Sequence, residues 1–565
     1  MKFADYPYQR PDLEQKKAEI IDLTKQFEQA TTADKQYEYI LAMNRLRGQL
    51  DSMYSLASIR HSIDTKDEFY ETEKTFFDGN MPDLAESIND YYKALLNATF
   101  RKELEERVGV HLFNMAELTL KSFEPAIVED LKEENRLNTA YKKLKAQAKI
   151  EFEGDTYNLS SIQPLEQSKD RATRKKAAKA KWDFYVSIAP QMEEIYDKLV
   201  KLRHQMAVKL GYKNYIELGY ARMMRSDYDA NMVANFRKQV HEHIVPIATK
   251  LQARQAKRLG LEKLKYYDED FSFPTGNPTP KGDATELTEK ASVMYKELSP
   301  ETDEFFEFMT QRQLMDLDGK DGKQTGGYCT FLDAFDSPFI FSNFNGTSHD
   351  ITVLTHEAGH AFQCYSTNRS NHLYDYLWPT FEACEIHSMS MEFFTWPWME
   401  LFFKEDTEKF KFSHLAGSIS FMPYGCAIDE FQHAVYEQPE MTIEERNAAW
   451  RTIEKKYMPH RDYEDNDYLN NGGLWQRQSH LFGMPFYYID YVLAQTCAFQ
   501  FWKRSLEDQS EAWKDYVGLC NAGGTYSFLD LVKIANLHSP FDDGCLATVV
   551  EPIEAYLDSV DDSQF

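Results

Sequence analysis

The sequence predicts a mainly α-helical protein with one small β-sheet just ahead of an HExxH helix. Three features predict it. Apolar residues recur at helical steps of three and four through most of the chain. Short aromatic and β-branched runs bounded by Gly, Pro and Asn interrupt that rhythm between residues 326 and 345. Helical patterning then returns at Asp350 and continues, with loops between segments.

Ile40, Met43, Leu46, Leu50, Met53 and Ala57 fall on one stripe of a 3.6-period helix, with charged residues between them. IEFEGDTYNL at residues 150–159 alternates apolar and polar positions around a Gly-Asp pair, which predicts a short hairpin. SKDRATRKKAAKAKWDFY at 168–185 is rich in helix formers and reads as a helix with a solvated basic face, to which no function is given. FPTGNPTPKGD at 273–283 is a loop between helices. GGYCTFL and SPFIFSNF supply the strands of the sheet. The chain is expected to divide into an N-terminal helical lobe, residues 1–195, and a larger domain, residues 196–565.

The chain has 565 residues, 64 Lys and Arg against 91 Asp and Glu, and a net charge of −27. Nucleic-acid affinity rests on cations that displace phosphate counterions, so neither DNA nor RNA is an expected partner. The same charge argues against docking on anionic lipid. No stretch near the N-terminus has a signal-peptide core, and Phe486 to Trp502 is too short and too polar to span a bilayer comfortably. Seven scattered cysteines without a CxxC pair fit reduced thiols, so the expected compartment is the cytoplasm.

The chemistry lies in DITVLTHEAGHAFQ, residues 350–363. His356 and His360 stand one helical turn apart, about 5–6 Å at their side-chain origins, as two imidazoles converging on zinc require. Glu357, next to the first His, cannot easily be a third ligand but can take a proton from the attacking water. Asp350 is the candidate N-cap of this helix.

A catalytic zinc takes three protein ligands and keeps one position open. No third His follows locally, so the remaining ligand should come from PTFEACEIHSMSMEFF, residues 379–394. Glu385 and Glu392 share a helical face, and Glu382 lies near it. Spacing favours Glu385 as the ligand and Glu392 as the acceptor for the far nitrogen of a ligating His. His387 points away and reads as structural.

HEAGHAF followed by E-A-C-E-I-H-S-M-S-M-E resembles the thimet oligopeptidase and oligoendopeptidase F family of metallopeptidases. Length and order of features resemble the bacterial oligoendopeptidase F branch, including the Pz-peptidases that act on collagen-derived peptides. The resemblance places the third zinc ligand 25 residues beyond the second His, on Glu385, with a further Glu at Glu392. It implies two helical lobes around a deep channel, one zinc ion per chain, and short unfolded oligopeptides as substrates. It also implies that a His and paired tyrosines bind the substrate backbone and steady the oxyanion. His480, Tyr488 and Tyr491 match that pattern, and Tyr487 remains an alternative to Tyr488.

SPFIFSNF reads either as a structural strand or as an edge to which an extended peptide adds, with Gly326 and Gly327 letting its approach flex. The function expected is zinc-dependent hydrolysis of internal peptide bonds by metal-activated water. A related HExxH metallocarboxypeptidase and a non-catalytic, peptide-binding helical protein are the alternatives.

Overall fold

The stripe from Ile40 to Ala57 lies in the helix Ala33–Ile63, where Ile40, Met43, Leu46, Leu50 and Ala57 are buried and Met53 is half-buried. Thr32 caps that helix by accepting the Lys35 N–H. In this computed structural model, which describes residues 1–370 and 373–565, the helix joins others up to residue 121 around a core of its own, including Ile20, Phe27, Leu95 and Phe113. Tyr376 from the second half of the chain enters that core; its hydroxyl donates to Val108 O and accepts the Leu112 N–H. The larger core runs from Phe3 to Leu557. The division expected at residue 195 falls inside one continuous helix, Arg171–Lys209, whose Trp182, Met192, Tyr196 and Leu199 belong to the larger core.

That helix is capped by Asp170, and its basic strip is only partly solvated. Arg171 and Arg174 both reach the buried carboxylate of Asp268, and Lys181 pairs with Glu166. Residues 273–283 form neither helix nor strand and connect the helices Val245–Arg258 and Ala284–Leu298.

The hairpin forms as β1 (Ile150–Phe152) and β2 (Asp155–Tyr157), paired antiparallel. Its turn is Glu153-Gly154, one residue ahead of the Gly-Asp pair; both residues have positive φ, the geometry of a tight two-residue turn. The second sheet has three strands, β3 (Met315–Asp318), β4 (Tyr328–Leu332) and β5 (Ser337–Phe344), in the order β3-β5-β4. β3 was not expected; it runs parallel to β5, with Met315 opposite Ile340. β5 also pairs antiparallel with β4, Tyr328 opposite Phe341. SPFIFSNF therefore cannot offer an edge, because both sides of its backbone are paired. The sheet's edges are β3 and β4, and β4 is the one that starts beside the HExxH helix.

β5 leads through Gly346, at φ +83°, into the HExxH helix, His349–Ser370. Asp350 is not the N-cap: it lies in the first turn, and its carboxylate accepts the N–H groups of Asn345 and Gly346 at 2.9 and 2.8 Å. It thereby fixes the strand-to-helix turn. The helix packs against Phe381–Phe394 so closely that a Cβ on Gly359 would lie 2.6 Å from His387 O. The long helix Tyr488–Ala522 covers both. Among the described residues no helix is long and apolar enough to cross a membrane, and all seven cysteines are free of disulfides.

Candidate metal centre

His356 and His360 project from one side of their helix, ring centroids 5.0 Å apart. Glu385, from Phe381–Phe394, faces them: its Oε2 is 3.2 Å from His356 Nε2 and 3.5 Å from His360 Nε2. The three candidate ligand atoms lie within 4.8 Å of one another, the one such trio among the described residues. Two imidazoles and a carboxylate are a donor set suited to a divalent ion with one position left open. The close approach at Gly359 brings the two helices near enough for this convergence.

A second set of groups orients those ligands. Glu392 Oε1 is 2.8 Å from His356 Nδ1, and Glu392 Oε2 is 2.6 Å from His414 Nε2. Trp396 donates its indole N–H to His414 Nδ1 at 3.2 Å, so the His414 proton sits on Nε2 and points at Glu392. The carboxylate likewise calls for a proton on His356 Nδ1, which leaves the Nε2 lone pair facing Glu385. Burial opposes charge on Glu392, but the hydrogen bonds from His356 and His414 outweigh it and hold its pKa below the usual carboxylate value. Glu385 receives hydrogen bonds from Ser388 at Oε2, 2.8 Å, and from Tyr487 at Oε1. Burial opposes its ionisation too, yet His360 and His356, when they carry charge, hold its pKa well below the ordinary range.

Glu357 is buried beside the trio, and its Oε2 has no hydrogen-bond partner among the described residues. Burial raises its pKa against the lowering effect of His356 and His360, which suits a carboxylate that exchanges protons. A Cβ on Gly327, next to the first residue of β4, would stand 3.5 Å from Glu357 Oε1. The free strand edge thus begins at this carboxylate.

His480, Tyr487, Tyr488 and Tyr491 gather across the cleft. Gln478 donates to His480 Nδ1 at 2.7 Å, placing the ring proton on Nε2, which lies 3.2 Å from the Tyr491 hydroxyl. Burial pushes the His480 pKa down to about 4, so the ring is neutral at neutral pH. Tyr487 is committed to Glu385, whereas Tyr488 and Tyr491 line a cavity of about 600 Å³ together with His356, Glu392 and His480. A second cavity of about 580 Å³ shares His349, Phe421, Gln478 and Tyr488 as walls.

Two polar residues of the Glu385 helix lie elsewhere. Glu382 stays outside the trio; burial raises its pKa to about 7, and the cation acting on it is Arg225. Arg225 is ion-paired to Asp490 and donates to Phe486 O at 2.6 Å, holding that residue at φ +70° just ahead of Tyr487. His387 is fully buried beside Tyr516, with its pKa pushed down to about 3 by burial. His414, Trp396, Gln478 and Ser388 were not anticipated. His414 comes 22 residues after Glu392 on another helix, and no local spacing marks it.

Residues 164–551 match the family described as Peptidase family M3, and residues 3–123 match the Peptidase M3 N-terminal domain. The chain is similar to a solved structure of Pz peptidase A with an inhibitor, at 56% identity and a TM-score of 0.98 over 100% of both chains. It is also similar to a structure provisionally named oligoendopeptidase F from Bacillus anthracis, at 51% identity and a TM-score of 0.94, covering 100% of this chain and 99% of that one. A curated relative, the oligoendopeptidase F homolog of Borreliella burgdorferi, is 26% identical over 209 residues, which are 35% of this chain and 34% of that protein. The mainly helical fold expected from the sequence is the fold of the oligoendopeptidase F structures.

Proposed function

The chain belongs to peptidase family M3, and from that premise we propose that it is a zinc-dependent endopeptidase acting on internal bonds of short oligopeptides. The observation that carries this reading is the convergence of His356, His360 and Glu385 beside the unpartnered carboxylate oxygen of Glu357. When held by those three side chains, one zinc ion per chain supplies a Lewis acid that polarises the scissile carbonyl and acidifies water.

The chain's own groups do the rest. Glu357 takes a proton from the attacking water and returns it to the leaving amine. Tyr488 and Tyr491 donate to the developing oxyanion, and the neutral His480, with its proton on Nε2, orients Tyr491. The free edge of β4 receives the peptide main chain, and the absence of a side chain at Gly327 leaves room beside Glu357. Backbone pairing of this kind recognises many sequences alike. Collagen-derived peptides, implied by the sequence resemblance to the Pz-peptidases, belong to the proposed substrate range. Seven free cysteines support a cytoplasmic location.

Peptides blocked at both ends test the reading. The purified protein is expected to cut them internally, to lose activity to a chelator and to regain it with zinc. Cleavage confined to peptides with a free C-terminus would favour a carboxypeptidase; binding without cleavage would favour a peptide-binding protein.

A further inference from the structure

Among the described residues two cations line the smaller of the two cavities without an ion-paired carboxylate. Lys145 lies in the last turn of the helix Val128–Ala146, and Arg477 ends the turn Gly473–Arg477, three residues before His480. Lys145 Nζ donates to the backbone oxygen of Arg477 at 3.0 Å, so both side chains share one wall of the cavity of about 580 Å³. Each also faces an aromatic ring: Lys145 sits 5.5 Å from the Tyr141 ring and Arg477 5.2 Å from the Tyr424 ring.

Among the described residues no carboxylate is ion-paired with either. Glu166 and Glu269 feel the charge of Arg477 but are engaged by Lys181 and Arg461, and Asp270 acts on Arg477 without forming an ion pair with it. Burial, reinforced by Arg477, pushes the Lys145 ammonium down to about 8, with no acidic group opposing the shift. In a chain of net charge −27, acidic partners are abundant, so two cations at one place without an ion-pair partner call for an anion from outside.

The sheet indicates which anion. β4 runs from Tyr328 to Leu332, and its free edge begins beside Glu357. A peptide added antiparallel to that edge sends its C-terminal portion back past Gly327, Gly326 and Thr325. Those three residues line the same cavity as Lys145 and Arg477. Resting on the peptidase reading above, we propose that Lys145 and Arg477 receive a carboxylate at the C-terminal end of the bound peptide. The pair then limits how far a favoured substrate extends beyond the scissile bond, and it draws substrates toward short peptides. Charge-assisted hydrogen bonds to a carboxylate, bidentate from the guanidinium, give the contact its geometry.

The test uses the zinc-loaded full-length protein and three peptides of one sequence: the free acid, the C-terminal amide, and the amide with Glu as last residue. Wild type is expected to favour the free acid over the amide by about tenfold or more in kcat/KM, mainly through KM. In Lys145→Met/Arg477→Met the acid-to-amide ratio falls to near one, and in Lys145→Glu the amide becomes the better substrate. The Glu-terminated amide separates the sources: cleavage as efficient as that of the free acid assigns the site to any carboxylate, and cleavage like the plain amide assigns it to the chain terminus. An acid-to-amide ratio of one in wild type, or a ratio unchanged in the charge-reversed variant, would overturn the proposal. Failure of wild type to cut any of the three would instead overturn the peptidase reading.

Discussion

Glu392 holds the far ring nitrogen of His356 at 2.8 Å while its other oxygen takes the Nε2–H of His414. The carboxylate thereby fixes which nitrogen of His356 faces Glu385 and the candidate metal position. Removing it with Glu392→Ala leaves His356 free to change tautomer and rotate. The expected result is a 10- to 100-fold loss of zinc affinity, read by competition with a chromogenic chelator. Unchanged affinity would remove Glu392 from this role.

The neighbouring tyrosines divide their work. Tyr487 donates to the candidate ligand Glu385, and Tyr491 stands 3.2 Å from His480 Nε2 in the cavity. Tyr487→Phe is expected to weaken zinc binding. Tyr491→Phe should keep zinc and lower kcat by about 10²–10³ with little change in KM, the signature of a donor that acts on the oxyanion. The reverse pattern would exchange the two assignments.

Gly359 is where the two helices touch. A methyl group there meets His387 O at 2.6 Å and Ser388 Cα at 2.7 Å, both backbone atoms that cannot swing away. Gly359→Ala is expected to destabilise the fold by about 1–3 kcal/mol and to lower zinc content by moving Glu385 away from the histidines. Denaturant unfolding and metal analysis of one preparation read both effects. Wild-type values for both would show that the helices separate without consequence.

Glu134 ties the helix Val128–Ala146 to Arg203 at 2.6 Å and to Arg222 at 2.8 Å. Burial opposes its charge, but Arg222 and Arg203 bring its pKa down from 4.5 to about 2. A depressed folded-state pKa stabilises the fold fully above the unfolded value, and that contribution fades as pH falls from 4.5 toward 2. Glu134→Gln strands the fully buried Arg203 and should cost about 3–5 kcal/mol at neutral pH. In urea unfolding the gap between variant and wild type should narrow across that acid window; a gap independent of pH would contradict the assignment.

The residues that sequence patterning could reach are those whose partners lie at helical or strand spacing. His356 and His360 are one turn apart, Glu385 and Glu392 two turns apart, and Ile40 to Ala57 repeat a single stripe. β4 and β5 stood out because aromatic runs between glycines and a proline break helical rhythm. β3 did not: MDLD is four residues long, half acidic, and paired in parallel to a strand more than twenty residues away. His414 escaped notice for the same reason, since it acts through a contact between separate helices, whereas Gln478 acts two residues from His480 at a spacing that no helical or strand pattern marks. Asp before an apolar run is a common helix N-terminus, which makes Asp350 look like a cap, yet its carboxylate turns back onto the loop ahead of the helix. Of the two readings of SPFIFSNF, the structural strand holds and the edge does not, because strand order is a property of the sheet, not of one strand's composition.

The proposed hydrolysis depends on a metal held by residues 356, 360 and 385 with the carboxylate of Glu357 left to move protons. The most direct measurement is zinc content and peptide turnover of Glu357→Gln beside wild type. Retention of one zinc ion per chain, with turnover reduced by at least about 10²–10⁴, is the expected result. Cleavage at the wild-type rate by the zinc-loaded variant would contradict it.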